Sequence, residues 1–169
     1  IDEWVSLYGQ LVQRHKITGS AAYTEQALRD MSRIEGLVAF GAFVGRTMVA
    51  CHLWLQFGRI VHSHLAASNA EGRRCGAAYL LYDAAVRHFE DAELIDFGGG
   101  AGFGDDPNDG LARFKRGFAN HAVPAYLCGK VLDRTLYSML CTATGSPESS
   151  EFFPAYRAPS CHASLKGGL

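Results

Sequence analysis

Residues 36–78 read GLVAFGAFVGRTMVACHLWLQFGRIVHSHLAASNAEGRRCGAA. Three runs typical of β-strands lie within this stretch, and only short turns centred on glycine separate them. The runs cover residues 36–44, 47–57 and 59–67. Because turns this short join neighbouring strands that run in opposite directions, the pattern predicts a three-stranded antiparallel meander.

The segments on either side of the meander alternate between helical periodicity and short apolar runs. Helices are predicted at residues 2–16, 24–36, 76–90, 109–118 and 133–140, and further strands at 93–97 and 122–128. A flexible, glycine-rich stretch is expected at residues 98–108. This order of elements predicts an α/β (α+β) fold, in which a mixed, mostly antiparallel, twisted sheet has helices on both faces.

Length, charge and cysteine content narrow the functional classes. The 169 residues fit one domain, and the formal net charge of −1 gives no field suited to non-specific binding of nucleic acid or anionic membrane. No run of about 18 uninterrupted apolar residues occurs, so we expect no membrane span. The five cysteines are scattered without a C-x-x-C pair, which favours a reducing, cytoplasmic setting over a disulfide framework or structural zinc.

The composition changes near residue 141. We expect residues 1–141 to form the domain and residues 142–169, which are rich in Ser, Pro and Gly, to form an extended or disordered tail. The chain begins with Ile1 and continues directly into an amphipathic segment. We therefore interpret it as part of a longer protein, with this domain in the C-terminal half.

The loop after the third predicted strand has the features of a phosphate site. Its residues are Glu71, Gly72, Arg73, Arg74, Cys75, Gly76, Ala77 and Ala78. The start of a helix presents unpaired amide hydrogens, which together with the helix dipole attract a pyrophosphate. Glycine permits a close approach of the phosphate, and arginine adds charge-assisted hydrogen bonds. The alternative is a solvated loop that leads into a helix.

Three titratable residues near the predicted strand ends are candidates for acid–base chemistry. His62 and His64 alternate along the third strand, which predicts that both imidazoles project from one face. The pair could chelate a metal, form a structural hydrogen-bonded pair, or supply a general base for an amine, for which His64 is preferred. Asp96 ends the fourth strand, where it could orient or deprotonate an amine or cap the glycine loop.

Two motifs resemble the GNAT acyltransferase superfamily. Arg73-x-x-Gly76-x-Ala78 is similar to the R/Q-x-x-G-x-G/A loop with which GNAT enzymes hold the pyrophosphate of acyl-coenzyme A. The segments DFGGG at 96–100 and DGLARFKRGF at 109–118 are similar to the strand, glycine loop and helix of the Fem family. Those enzymes are peptidoglycan aminoacyltransferases built from paired GNAT-like halves, and the resemblance covers about residues 36–140.

The resemblance implies a catalytic role for Lys115, the lysine of the F-K pair, in stabilising negative charge on the substrate or the tetrahedral intermediate. A lysine that extends from the core into water is the alternative. The resemblance also implies direct transfer of an acyl group from acetyl-CoA or another acyl-CoA to a primary amine of a small molecule or peptide. The absence of a G-x-S-x-G elbow and of a cysteine nucleophile motif fits direct transfer.

Two other functions are compatible with the same motifs. A Fem-like enzyme would use aminoacyl-tRNA as donor and a cell-wall precursor or peptide amine as acceptor. A non-catalytic partner domain would complete a substrate cleft together with a second GNAT-like half or in a homodimer.

Overall fold

The predicted meander forms three of the four strands of one sheet in the computed structural model. The strands β1 (Leu37–Val44), β2 (Thr47–Phe57) and β3 (Ile60–Ser68) are antiparallel neighbours, and β4 (Leu94–Asp96) lies parallel to β3. The two hairpin turns each hold a glycine at positive φ, a conformation that other residues adopt with difficulty. The predicted mixed, mostly antiparallel sheet is therefore confirmed.

Helices flank the strands in chain order. They are α1 (Asp2–His15), α2 (Glu25–Met31), α3 (Ala70–Arg74), α4 (Ala77–His88), α5 (Gly110–Arg116) and α6 (Arg134–Thr144), with short 3-10 turns at Gly19–Ala21 and Ala155–Arg157. Side-chain oxygens of Thr24 and Asp109 accept amide hydrogens at the starts of α2 and α5 and so cap these two helices. Helix α3 was not predicted; Asn69 caps it.

The core lies on both faces of the sheet because successive residues of β2 point to opposite sides. Cys51 and Leu53 pack in the cluster that includes α1 and α2 residues, whereas Ala50 and Trp54 pack in the clusters that include α4 residues. Helices therefore cover both faces, as expected. None of the helices in the described part of the chain is long and apolar enough to cross a bilayer.

The structure describes residues 1–100, 108–126, 128–150 and 152–158, apart from the side chain of Ser20. Most of the predicted flexible stretch, residues 101–107, and the end of the predicted tail, residues 159–169, lie outside the described residues. The chain divides into two compact units, Ile1–His121 and Ala122–Leu169. The first contains the sheet and α1 to α5, and the second contains α6.

The strand predicted at residues 122–128 is wrong, since residues 122–126 and 128 have no regular secondary structure. Val123 and Tyr126 are largely exposed, so the alternating apolar pattern buries nothing here, and Pro124 has no amide hydrogen for a ladder. Helix α6 continues to Thr144, four residues further than predicted, where Gly145 at positive φ ends it. Tyr137 of α6 accepts a hydrogen bond from the Ala155 amide.

Candidate active site

The start of α4 lacks a side-chain cap. Gly76 precedes the helix at a φ of 70° and has no side chain that could cap it. The first amides of a helix have no acceptor within it, so those of Ala77 and Ala78 point outward from the helix end. With 12 residues, α4 adds a helix dipole to these donors. The predicted loop residues Gly76, Ala77 and Ala78 thus form an uncapped helix start, and a phosphate there remains a prediction.

The two arginines that were predicted to lie in the loop belong instead to α3, and they make different contacts. Arg73 Nη1 donates to the Ser68 carbonyl oxygen at 2.8 Å, whereas Arg74 is paired with Glu71 at 2.6 Å. Arg14 of α1 donates to the same Ser68 oxygen at 3.5 Å, and burial together with the charge of Arg73 lowers the pKa of Arg14. Sequence reasoning missed Arg14, since no motif connects it with Arg73.

The parallel pairing between β3 and β4 is short, because β4 ends at Asp96. Their register joins residues 60–62 of β3 to residues 94–96 of β4, and β3 then continues to Ser68. A bulge follows the last pair: Ser63 lies opposite Trp54 and Leu65 opposite Leu53, so His64 is an additional residue. The β4 side of β3 therefore has an edge past His62 along which an extended molecule could lie.

Three titratable side chains, those of His62, Asp96 and Lys115, lie close together at the end of the pairing between β3 and β4. His62 Nδ1 lies 3.0 Å from Asp96 Oδ2, and the Gly98 amide donates to Asp96 Oδ1 at 2.7 Å. Lys115 Nζ donates to the Gly99 carbonyl oxygen at 2.7 Å. A Cβ placed on Gly98 would lie 3.6 Å from Lys115 Nζ and 3.8 Å from His62 Cε1, so this glycine has both side chains around it.

Burial and neighbouring charges shift the titration of this group. Burial lowers the pKa of Lys115, an effect that the carboxylates of Asp96 and Asp109 oppose. Partial burial opposes a lower pKa for Asp96, but the Gly98 amide, His62 and Lys115 together lower it. Burial, and then the charge of His62, lowers the pKa of His64. Lys115 therefore does not extend freely into water, and Asp96 both caps the glycine turn and contacts His62.

A buried polar network lies behind this group. His52 is 1% exposed, and its Nε2 lies 2.9 Å from Ser63 Oγ, while its Nδ1 has no hydrogen-bond partner. The ring packs between Trp54 and Tyr82, at centroid distances of 4.3 and 4.7 Å. Burial, with a smaller effect of Lys115, lowers the pKa of His52 to about 3. His52 is therefore neutral and inaccessible to substrate.

Helices α4 and α5 pack against each other, so Gly76 at the start of α4 and Lys115 on α5 lie in neighbouring parts of the first unit. Tyr79, in the first turn of α4, contacts the Phe114 ring at a centroid distance of 4.9 Å. Phe114 directly precedes Lys115 on α5, and a shallow groove lined by Tyr79, Phe114 and Arg113 runs between the helices. The site residues predicted from the sequence therefore lie at two places. One is the start of α4, and the other is the end of the pairing between β3 and β4.

Several solved structures with a similar fold are acetyltransferases. An aminoglycoside acetyltransferase from an uncultured soil metagenomic sample, in complex with sisomicin, is 13% identical with a TM-score of 0.55, over 76% of this chain and 90% of that one. A ribosomal-protein-alanine N-acetyltransferase from Brucella melitensis biovar Abortus 2308 is 18% identical with a TM-score of 0.54, over 76% and 91%. At these identities the likeness concerns the fold.

A third similar structure is AAC(6')-Iy in complex with the bisubstrate analog CoA-S-monomethyl-acetylneamine, which is 12% identical with a TM-score of 0.52, over 77% of this chain and 90% of that one. No curated protein matches this chain significantly. Residues 1–116 match the family model described as Acetyltransferase (GNAT) domain. The chain therefore belongs to the GNAT acetyltransferase family and is an acyltransferase.

Proposed function

We propose that this chain transfers an acyl group from acyl-coenzyme A, such as acetyl-CoA, to a primary amine by direct attack. The observation that carries the proposal is the combination of two features. The start of α4 has no side-chain cap, and β3 continues to Ser68 beyond its pairing with β4. The seven residues from His62 to Ser68 span about 20 Å in an extended strand, since six steps of about 3.3 Å separate the first from the last. A donor that places phosphates at one end and its acyl carbon at the other needs a long arm, as coenzyme A has.

In this pose the backbone amides of Ala77 and Ala78 bind pyrophosphate, and Gly76 lets it approach the chain closely. Arg73 and Arg14, at the Ser68 carbonyl, add positive charge near the end of β3. The arm lies along the edge of β3 and brings the thioester to the place where β4 departs. The chain thus supplies both the binding of the donor and the orientation of its acyl group.

Lys115 is suited to stabilise the charge that develops during attack. An ammonium has three N–H donors, and the contact with the Gly99 carbonyl oxygen uses one of them. In the partly buried position of Lys115, a donor aimed at an oxyanion has a larger effect than in water. The amine nitrogen bonds to the carbonyl carbon, the tetrahedral intermediate collapses, and the carbon–sulfur bond breaks to release coenzyme A.

Calorimetry with acetyl-CoA tests the donor. We expect saturable binding that Gly76→Ala weakens at least tenfold, because a methyl group restricts the approach of the phosphates. Gly45→Ala is the matched control: Gly45 has a similar φ of 59° in a hairpin turn, so both changes impose the same kind of backbone strain. The proposal would be refuted if millimolar acetyl-CoA produced no heat of binding and no thermal protection.

The acceptor is tested with two primary amines of different size. Sisomicin and a peptide with an N-terminal alanine represent the small-molecule and the peptide class, as two of the similar structures suggest. Release of free thiol from acetyl-CoA in the presence of one amine, and not of the other, would identify the class.

A second candidate is Fem-like transfer from aminoacyl-tRNA to a cell-wall precursor or peptide amine. The Phe114-Lys115 pair beside Gly98 and Gly99 favours it, since this is the part that resembles the Fem family. Salt-sensitive retention of charged tRNA in a filter-binding assay, without binding of acetyl-CoA, would favour this candidate over the first. Unchanged turnover in Lys115→Ala would instead favour a domain that only completes a cleft with a second GNAT-like half or another copy.

A further inference from the structure

We propose that His62, rather than His64, is the general base that accepts the proton of the acceptor amine, and that Asp96 is the residue that positions it. This inference rests on the proposed amine acyl transfer. The two residues form the last pair in the parallel register of β3 and β4, so the backbone places them opposite each other. The separation of 3.0 Å between His62 Nδ1 and Asp96 Oδ2 follows from this pairing.

The orientation of Asp96 is fixed from both of its oxygens. Oδ1 accepts the Gly98 amide at 2.7 Å, and Oδ2 contacts the imidazole. Because a carboxylate only accepts hydrogen bonds, it favours the tautomer of His62 that carries its proton on Nδ1. The lone pair is then on Nε2, the nitrogen on the other side of the ring, as a proton acceptor requires.

His62 is accessible, and the other histidines near the site are less suited to this task. Its side chain is 42% exposed, whereas His52 is almost fully buried and bound to Ser63. His64 is the additional residue of the bulge and lies beyond the last β3–β4 pair, which places Asp96 opposite His62. The combination of exposure and an orienting carboxylate is therefore found at His62.

The proposed base His62 and the cation Lys115 both lie beside Gly98, where the reaction would take place. His62 Cε1 and Lys115 Nζ lie within 4 Å of the position that a Cβ on Gly98 would take. As the amine nitrogen bonds to the thioester carbon, its proton moves to His62 Nε2, and the developing oxyanion faces the Lys115 ammonium. The carbon–sulfur bond then breaks, and the proton on His62 passes through solvent to the released thiolate.

Kinetics of matched variants test the assignment. His62→Gln retains an N–H donor toward Asp96 but is not a base, and we expect kcat to fall ~10²- to 10⁴-fold with the KM for acetyl-CoA unchanged. His62→Ala should lose a similar factor and regain part of it with added imidazole. His121→Ala, an exposed histidine elsewhere in the first unit, is the control. A comparable loss in His64→Ala with an active His62→Gln enzyme would overturn the assignment.

The role of Asp96 is tested by non-additivity. Asp96→Asn should lower kcat at least tenfold in the wild-type background and leave the residual activity of His62→Gln unchanged, because Asp96 acts through His62. A further loss in the double variant would contradict a positioning role.

Nitrogen NMR of the imidazole tests the geometry without any acceptor. We expect the Nδ1–H tautomer at His62 in the wild type and a mixture of tautomers in Asp96→Asn; an Nε2–H tautomer in the wild type would overturn the inference. Binding of acetyl-CoA, measured on the same samples, shows separately whether the proposed donor is correct.

Discussion

Lowering the pH from 7 to 5 should destabilise the first unit through His52. Burial lowers the pKa of this imidazole from 6.5 to about 3. Between these values the unfolded chain binds a proton that the folded chain does not bind, so the stability contributed by the neutral ring is complete above pH 6.5 and decreases as the pH falls toward 3. At about 1.4 kcal/mol per pH unit, the loss by pH 5 is about 2 kcal/mol.

The measurement is urea unfolding, followed by tryptophan fluorescence, at pH 7 and pH 5. His52→Gln keeps a polar side chain near Ser63 but cannot titrate, so its free energy of unfolding should fall by about 2 kcal/mol less than that of the wild type over this interval. Ser63→Ala removes the hydrogen-bond partner and leaves the imidazole in place, and it should retain the wild-type pH dependence.

Other groups contribute equally to the wild type and to His52→Gln. The lowered pKa of His64 acts in the same direction in both proteins. The pKa of Asp96 is lowered from its ordinary value of 3.8, so this carboxylate loses its contribution below that pH, outside the interval. Equal pH dependence in the wild type and His52→Gln would refute the reasoning that His52 is buried as a neutral ring.

Two further changes test the packing and the capping. Gly72→Ala should lower the free energy of unfolding by about 1–3 kcal/mol in urea titrations, because a methyl group would overlap the Val49 carbonyl oxygen; Gly110→Ala, where space is open, should be neutral or stabilising. Asp133→Ala should destabilise α6 by about 1 kcal/mol, since Asp133 accepts the Leu136 amide, and Asp133→Asn should preserve the helical circular dichroism signal.

Local chemistry made most of the first unit predictable. Glycines at the hairpin turns have φ values that other residues rarely adopt, and alternation along β2 distributes Cys51 and Trp54 to different faces. The cap at Asp109 is likewise encoded within a few residues of the helix that it starts. Such features depend on interactions between sequence neighbours, so they can be deduced without knowledge of the tertiary structure.

The arrangement of the site depends on registers that local patterns do not specify. The pairing of His62 with Asp96 joins residues 34 positions apart, and it depends on the register between β4 and β3. The bulge at His64 is equally non-local: Ser63 contacts His52 on the α4 side, whereas Leu65 packs against α1 and α2. Ser63 and Leu65 therefore lie on opposite faces, although simple alternation would place residues two positions apart on the same face.

The bulge connects the packing of the core with the position of the proposed chemistry. Three consecutive residues of β3 have different tasks: His62 contacts Asp96, Ser63 joins the buried network, and His64 is the additional residue. His52, which is hydrogen bonded to Ser63, also packs against Tyr82 of α4, the helix whose first turn follows Gly76. The proposed phosphate site and the proposed base therefore lie on one helix and one strand whose side chains pack together in the core. In the proposed pose, one end of acyl-coenzyme A contacts α4 and the other lies along β3. Core packing between these two elements, rather than loop conformation, therefore sets the distance between the two ends of the donor.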